Sequence, residues 1–318
     1  MSMEPAPLYE DVADAPPGGR AWWLTAADGT RIRAAVWTPP AGTTPRGTVL
    51  LFPGRTEYVE KYGPAAREFT AAGLAMLTID WRGQGLTRRP LPERLLGDVI
   101  DFSEYQQDVA AALALAKALD LPGPRFLVGH SMGGCIGLRA LHEGLDVAAA
   151  AFSAPMWGVQ MDWWEPALAW ASALLAPLPF VGRKLTPRTD LRHALIAHPF
   201  EDNDLTTDRA MWEWMRRQIT VHPELELGGP SVRWLRAALF ETHRLTRMPP
   251  PKVPALAFLG SRERIVLPRA VERLMARWPE GRLVRLEGAE HEIMMERPEI
   301  RSRFYAETLA HFAAHAGG

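Results

Sequence analysis

Gly129-His130-Ser131-Met132-Gly133 sets a serine between two glycines at the junction of two unlike segments. Before it runs Arg125-Phe126-Leu127-Val128, a short apolar strand. After it comes Gly134-Cys135-Ile136-Gly137-Leu138-Arg139-Ala140-Leu141, which suits a helix. G-x-S-x-G between a strand and a helix forms a nucleophile elbow, a sharp turn that lifts the serine hydroxyl to the top of a sheet. The flanking glycines let neighbouring backbone pass where a Cβ would clash. The helix N-terminus beside the hydroxyl favours negative charge developing there.

A serine hydroxyl is a weak nucleophile. It needs a base within hydrogen-bond reach, and the base needs a carboxylate to fix its tautomer and stabilise its charged form. With an elbow of this kind the chain order is serine, acid, histidine. His291, in Gly288-Ala289-Glu290-His291-Glu292, follows a strand ending at Leu286 and fits the base. His311 and His315 fall in a terminal helix, and His193, His198, His222 and His243 fall in an irregular middle region. His130 adjoins the serine but points away from it. Glu263, in Leu259-Gly260-Ser261-Arg262-Glu263-Arg264, fits the acid. No Asp follows Asp208, and Glu287, Glu290 and Glu292 lie too near His291 along the chain. An oxyanion hole needs two backbone N–H groups, one after the nucleophile and one from the loop after an earlier strand. Met132 and Arg55 are the expected donors, since Pro53 has no N–H.

The elements that must position these residues alternate. Trp22 to Thr38 reads as two strands around an Asp28-Gly29 turn. Thr48 to Phe52 and Ala75 to Asp80 read as buried strands, with a helix over 57–72 ending at Gly73. Asp101 opens a helix running to about Leu119, and Ala148 to Ser153 reads as a strand after the elbow helix. Such alternation implies a parallel sheet with helices on both faces. From about Met156 to Pro250 the alternation breaks, and it resumes with a strand over 254–259, a helix over 268–278, a strand over 283–286 and a helix over 298–315. The expected organisation is a core over 1–155, a helical lid inserted over 156–250, and the rest of the core over 251–318. Residues 1–20 are acidic and rich in Pro and Gly, which suggests a mobile arm or a surface-hugging extension.

Seven of the 12 tryptophans lie in the inserted stretch, in under a third of the chain. They read either as packing of a small helical subdomain or as the wall of an acyl tunnel or membrane-facing patch, with Trp157, Trp163 and Trp164 as substrate contacts. Arg209, Arg216, Arg217, Arg233, Arg236, Arg244 and Arg247 alternate with acids and read chiefly as solvated helix faces, with contact to an anionic head group as the lesser reading.

A net charge of −1 supplies no global field for nucleic acid or anionic membrane. One cysteine, Cys135, excludes a disulfide framework and a thiolate metal cluster. His291-Glu292-Ile293-Met294-Met295 is not H-E-x-x-H, so no zinc site is expected. The N-terminus lacks a basic segment and an apolar segment, and no run of eighteen apolar residues occurs. A cytoplasmic protein is the default expectation, with peripheral contact to the inner face of the membrane through the lid.

These residues resemble the α/β-hydrolase superfamily, and within it the lysophospholipase L2 and monoacylglycerol lipase-like branch, also grouped with serine aminopeptidases. The resemblance rests on Phe52-Pro53-Gly54-Arg55 with Glu57 and Tyr62, on Asp80-Trp81-Arg82-Gly83-Gln84-Gly85, and on Gly129 to Gly134. It also rests on His222-Pro223-Glu224-Leu225, Gly228-Gly229-Pro230, Trp234, Glu263 and Gly288 to Glu292. It implies an α/β-hydrolase fold, a mostly parallel central sheet with helices on both faces and an inserted helical lid. It also implies a Ser131–Glu263–His291 triad acting on carboxylic esters of glycerol or phosphoglycerol, with no metal or organic cofactor. Pro53 stands where the family usually has His, Thr56 where it has a second Gly, and Glu263 where many relatives carry Asp. Three other readings remain. One is an aminopeptidase of the same superfamily, with Glu57 or the lid acids receiving the substrate amine. Another is a non-catalytic binding protein on this fold. The third is an acyltransferase, in which a site that excludes water passes the acyl group to an alcohol instead.

Overall fold

The computed structural model describes residues 4–317 except Arg88, Pro90, residues 161–170, 172–173 and Arg188. Nine strands form one sheet: β1 (Glu4–Ala6), β2 (Arg20–Thr25), β3 (Arg31–Trp37), β4 (Gly47–Phe52), β5 (Leu74–Asp80), β6 (Arg125–His130), β7 (Ala149–Ser153), β8 (Ala255–Gly260) and β9 (Gly281–Leu286). Their order across the sheet is β1-β2-β3-β5-β4-β6-β7-β8-β9. Pairing is antiparallel from β1 through β3 to β5 and parallel from β5 onward. The parallel strands are continuous apolar runs because helices cover both faces. All six residues of β4 and all seven of β5 are buried.

The intervening helices are α1 (Glu10–Ala13), α2 (Gly63–Ala71), α3 (Glu104–Ala118) and α4 (Met132–His142). Between β7 and β8 lie α5 (Pro179–Gly182), α6 (Ala194–Ala197), α7 (Arg209–Val221) and α8 (Val232–Leu245), and then α9 (Pro268–Met275) and α10 (Pro298–Ala314) complete the chain. The side chains of Asp208 and Ser231 cap α7 and α8 by accepting from N-terminal amides. The Asp28-Gly29 turn forms as expected, with Gly29 at φ 82°. The helix expected over 57–72 is split. Val59–Tyr62 is a 3₁₀ turn, because Asp80 Oδ1 at the end of β5 accepts the Val59 N–H at 2.8 Å and tightens the entry.

Of the two expectations for the first twenty residues, residues 4–20 follow the surface-hugging extension and not the mobile arm. β1 extends the sheet, Val12 and Ala13 are buried, and the Val12 carbonyl accepts from Gln218 Nε2 at 2.9 Å. Tyr9 stacks on His222 with ring centroids 3.7 Å apart. Local composition favoured disorder, but the segment gains a strand partner and an apolar seat on α7, contacts that lie far away in sequence.

Candidate active site

The site sits at the carboxyl ends of the parallel strands. β6 delivers Ser131 at φ 49° and ψ −118°, a conformation costly for any residue with a Cβ. Long-range hydrogen bonds hold it there: Ser131 N–H donates to Ser153 O (3.0 Å), and Ser131 O accepts from Met156 N–H (2.8 Å). A Cβ on Gly133 would land on the Phe52 carbonyl, so the missing side chain lets α4 press against the end of β4. That contact sets the first turn of α4 beside the loop Pro53–Glu57.

In that loop the Gly54 N–H donates to Glu57 Oε2 and the Thr56 N–H to Gln84 Oε1. The Arg55 amide between them meets no acceptor among the described residues, and the Met132 amide is an unpaired N–H of the first turn of α4. Trp81 Nε1–H braces the loop from below through Pro53 O at 2.9 Å. The segment Asp80 to Gln84 thus buttresses the loop that could face an oxyanion.

His291 and Glu263 meet across the ends of β9 and β8. Nδ1 of His291 donates to Glu263 Oε2 at 2.8 Å, since an ionised carboxylate can only accept. Glu263 Oε1 accepts from the Ile265 and Val266 amides at 2.7 and 3.0 Å. Burial pushes the Glu263 carboxyl up, but His291 and those amides outweigh it and hold it below its ordinary value. Burial pushes His291 down, and Glu263 first, then Glu292 and Glu57, carry it above its ordinary value. With Nδ1 carrying the proton, Nε2 of the neutral ring is an acceptor. The Glu292 amide donates to Leu205 O at 2.7 Å, so the segment between β7 and β8 also holds the histidine loop.

Ser131 and His291 line one cavity of about 410 Å³. Met156, Val159, Leu205, Met215, Ile265 and Val266 supply an apolar wall, while Arg55, Lys61, His130 and His193 bring polar groups. Trp157, expected at the substrate, is corrected. It is buried in the core beside α4, donates Nε1–H to Gly134 O (3.1 Å) and packs against Phe152 and Trp278. Following the apolar end of β7, its indole fills the space between sheet and α4 rather than the cavity. Trp163 and Trp164 lie outside the described residues. Trp234 does line the cavity.

One side of the cavity carries a charge cluster absent from the sequence reading. Lys61 Nζ stands 2.6 Å from Glu57 Oε1 and 2.7 Å from Glu292 Oε1, all three residues buried. His130 donates Nδ1–H toward Ser153 O (3.1 Å) and sets Nε2 3.2 Å from Glu292 Oε2. Glu57, His130 and Glu292 come close enough to cage a metal ion, but the Lys61 ammonium already bridges the two carboxylates. Burial raises Glu292, yet Lys61 and His130 hold it well below the usual carboxylate range. Glu57 and Lys61 stand four positions apart, but Glu292 is far from both in sequence. Lys61→Met is expected to lower the unfolding free energy by about 3–5 kcal/mol, because it leaves two buried carboxylates without their ammonium. Urea unfolding measures this, and an unchanged midpoint would refute the view that Lys61 neutralises the cluster.

The family described as Hydrolase_4, serine aminopeptidase S33, matches residues 43–298. Lysophospholipase L2 of Escherichia coli (strain K12) is 31% identical over 275 residues, covering 80% of this chain and 76% of that protein. A probable lysophospholipase L2 of Haemophilus influenzae is 28% identical over 269 residues, covering 84% and 83%. Among solved structures, a soluble variant of monoglyceride lipase from Saccharomyces cerevisiae in complex with a substrate analogue superposes with a TM-score of 0.72 at 22% identity, covering 92% of this chain and 94% of that one. A match from 43 to 298 that spans both flanks of the irregular middle region, joined to a relative 31% identical over 80% of the chain, leaves one affiliation: the chain belongs to the serine aminopeptidase S33 family and folds as an α/β-hydrolase.

Proposed function

We propose that this protein is a serine ester hydrolase acting on singly acylated glycerol or phosphoglycerol lipids, with the segment between β7 and β8 as its lid. Ser131 Oγ attacks the ester carbonyl carbon as His291 Nε2 takes its proton, and Glu263 stabilises the imidazolium. The Arg55 and Met132 amides receive the oxyanion. Collapse expels the glycerol alkoxide, which takes the proton from His291 and leaves an acyl-serine. Water, deprotonated by His291, then releases the fatty acid and restores Ser131.

One observation carries this reading. A strained serine and a histidine oriented by a buried carboxylate open onto the same cavity, whose other wall is apolar. The names of the relatives, lysophospholipase and monoglyceride lipase, supply the substrate class. The aminopeptidase alternative needs a free carboxylate for an amine; Glu57 is already engaged by Lys61, Tyr62 and the Gly54 amide, and Asp190 of the inserted segment, which also lines the cavity, stands 2.9 Å from His198 Nε2. No helix among the described residues is long and apolar enough to cross a membrane. Leu174, Leu175, Leu178 and Phe180 are exposed together on the same segment, and we assign them the contact with a lipid surface.

The test is hydrolysis of p-nitrophenyl esters from short to long acyl chains, with amino-acid p-nitroanilides beside them and the long-chain ester offered both as monomer and in vesicles. Rates rising toward long chains, and higher on vesicles, support a lipid esterase that works at a surface. Activity confined to acetyl or butyryl esters removes the acyl tunnel, cleavage of the anilides points to the peptidase, and equal rates on monomer and vesicle remove the lipid-surface contact.

A further inference from the structure

Arg55 contributes more than an amide. Its side chain reaches the cavity wall, where Nη2 donates to Gly228 O at 2.6 Å and the guanidinium lies 5.1 Å from the Trp234 ring centre. Nε is buried with no acceptor among the described residues. No carboxylate lies within ion-pair distance of it among the described residues. Among the described residues, the two buried arginines of this chain are neutralised by carboxylates. Arg33 is clasped by Glu60 and Asp80. Arg82 is clasped by Asp108, Asp28 and Glu104. Arg89, half-buried like Arg55, also meets no carboxylate among the described residues but reaches four backbone carbonyls, of Gly83, Gly85, Glu224 and Glu226. Among the described residues Arg55 has one carbonyl and an aromatic face.

Arg55 is half-buried with its Nε fully buried, and a partly desolvated cation without an anion beside a substrate cavity is poised to receive a negative charge. Burial pulls the guanidinium down to about 10, so it still carries its proton at neutral pH. The seat is shaped for it: a Cβ on Gly97 would stand 2.5 Å from Nη2. His193 lines the same cavity as a neutral imidazole, held down to about 4 by burial and by nearby Lys61. Its Nδ1 accepts from the Leu195 N–H at 3.1 Å, which leaves its proton on Nε2 as a donor.

One residue therefore presents an amide to the ester carbonyl and, a side-chain length away, a forked cation. A lysophospholipid presents an ester carbonyl and, a glycerol's length away, a phosphodiester. Guanidinium groups match phosphate oxygens bidentately. We propose that the Arg55 guanidinium, with the Nε2–H of His193 in the same cavity, binds the phosphodiester of a lysophospholipid and makes such lipids preferred over neutral monoacylglycerols. This rests on the ester-hydrolase reading and selects between its two lipid classes.

The experiment compares kcat/KM for palmitoyl lysophosphatidylglycerol and for 1-palmitoylglycerol, which share the acyl ester and differ by the phosphoglycerol group. Wild type, Arg55→Gln and Gly97→Ala are measured. Gly97→Ala displaces the guanidinium while keeping Arg55 and its amide, and circular dichroism shows that each variant is folded. The expected result is a wild-type preference for the phospholipid. In both variants the ratio of the two kcat/KM values falls about 10- to 100-fold, the range for losing a charged hydrogen bond, and the loss appears mainly in KM for the phospholipid. A ratio unchanged in both variants overturns the proposal and reduces Arg55 to a brace for Gly228. If wild type cleaves neither lipid, or Ser131→Ala cleaves both as well as wild type, the ester-hydrolase reading itself has failed.

Discussion

Ser131→Ala is expected to lower ester turnover about a million-fold, the scale seen when a serine nucleophile is removed from a working triad. The variant should fold as wild type does, because the loss is confined to one oxygen. The strained backbone at φ 49° is held by the Ser153 and Met156 hydrogen bonds, which use the main chain of residue 131 and not its hydroxyl. Alanine keeps the Cβ and leaves the elbow's packing against β4 unchanged. Active-site titration with a fluorophosphonate should label wild type at one site per chain and the variant not at all. Turnover within a hundredfold of wild type would remove Ser131 as nucleophile, and a wild type that resists labelling would favour the non-catalytic binding protein.

Glu263→Gln is expected to lower kcat/KM about ten-thousandfold, the effect known for replacing a triad carboxylate by its amide. It should also shift the pH profile in a direction fixed by the geometry. Catalysis needs His291 neutral, so the rate rises as pH passes the histidine's pKa. In wild type that limb should lie above the ordinary histidine value of about 6.5, because Glu263, Glu292 and Glu57 outweigh burial. Without the Glu263 charge, burial gains weight and the limb moves to lower pH. A glutamine amide can also turn its NH₂ toward Nδ1, making Nδ1 the acceptor and moving the neutral ring's proton to Nε2, which then cannot accept from Ser131. Both changes are read from kcat/KM between pH 5 and 9. A variant that keeps the wild-type limb and a rate within tenfold would show that Glu263 does not orient His291.

How much of this could be read from the chain depended on the range of the interactions involved. The elbow was legible because strand, glycine, serine, glycine and helix are consecutive, so local sterics write it into a pentapeptide. Glu263 and His291 were singled out by chain order and by the absence of Asp after Asp208, and they meet at 2.8 Å. The parallel sheet was legible from unbroken apolar runs alternating with helical periods. Trp157 was misread because a tryptophan filling a core and one lining a cavity carry the same local signal. Residues 4–20 were left between a mobile arm and a surface-hugging extension because their partners, such as Gln218 and His222, lie some two hundred positions away.

Read alone, the chain specifies its architecture and the chemical types at its reactive centre, since both follow from periodicity and from residues adjacent in sequence. Only the fold decides where each charge finds its counter-charge. Lys61 meets Glu292 across 231 positions, and no local pattern predicts that pairing. The same packing that pairs Arg33 and Arg82 leaves Arg55 facing the cavity without a carboxylate among the described residues. Charge pairing depends on distance and desolvation in three dimensions, which a linear spacing does not encode.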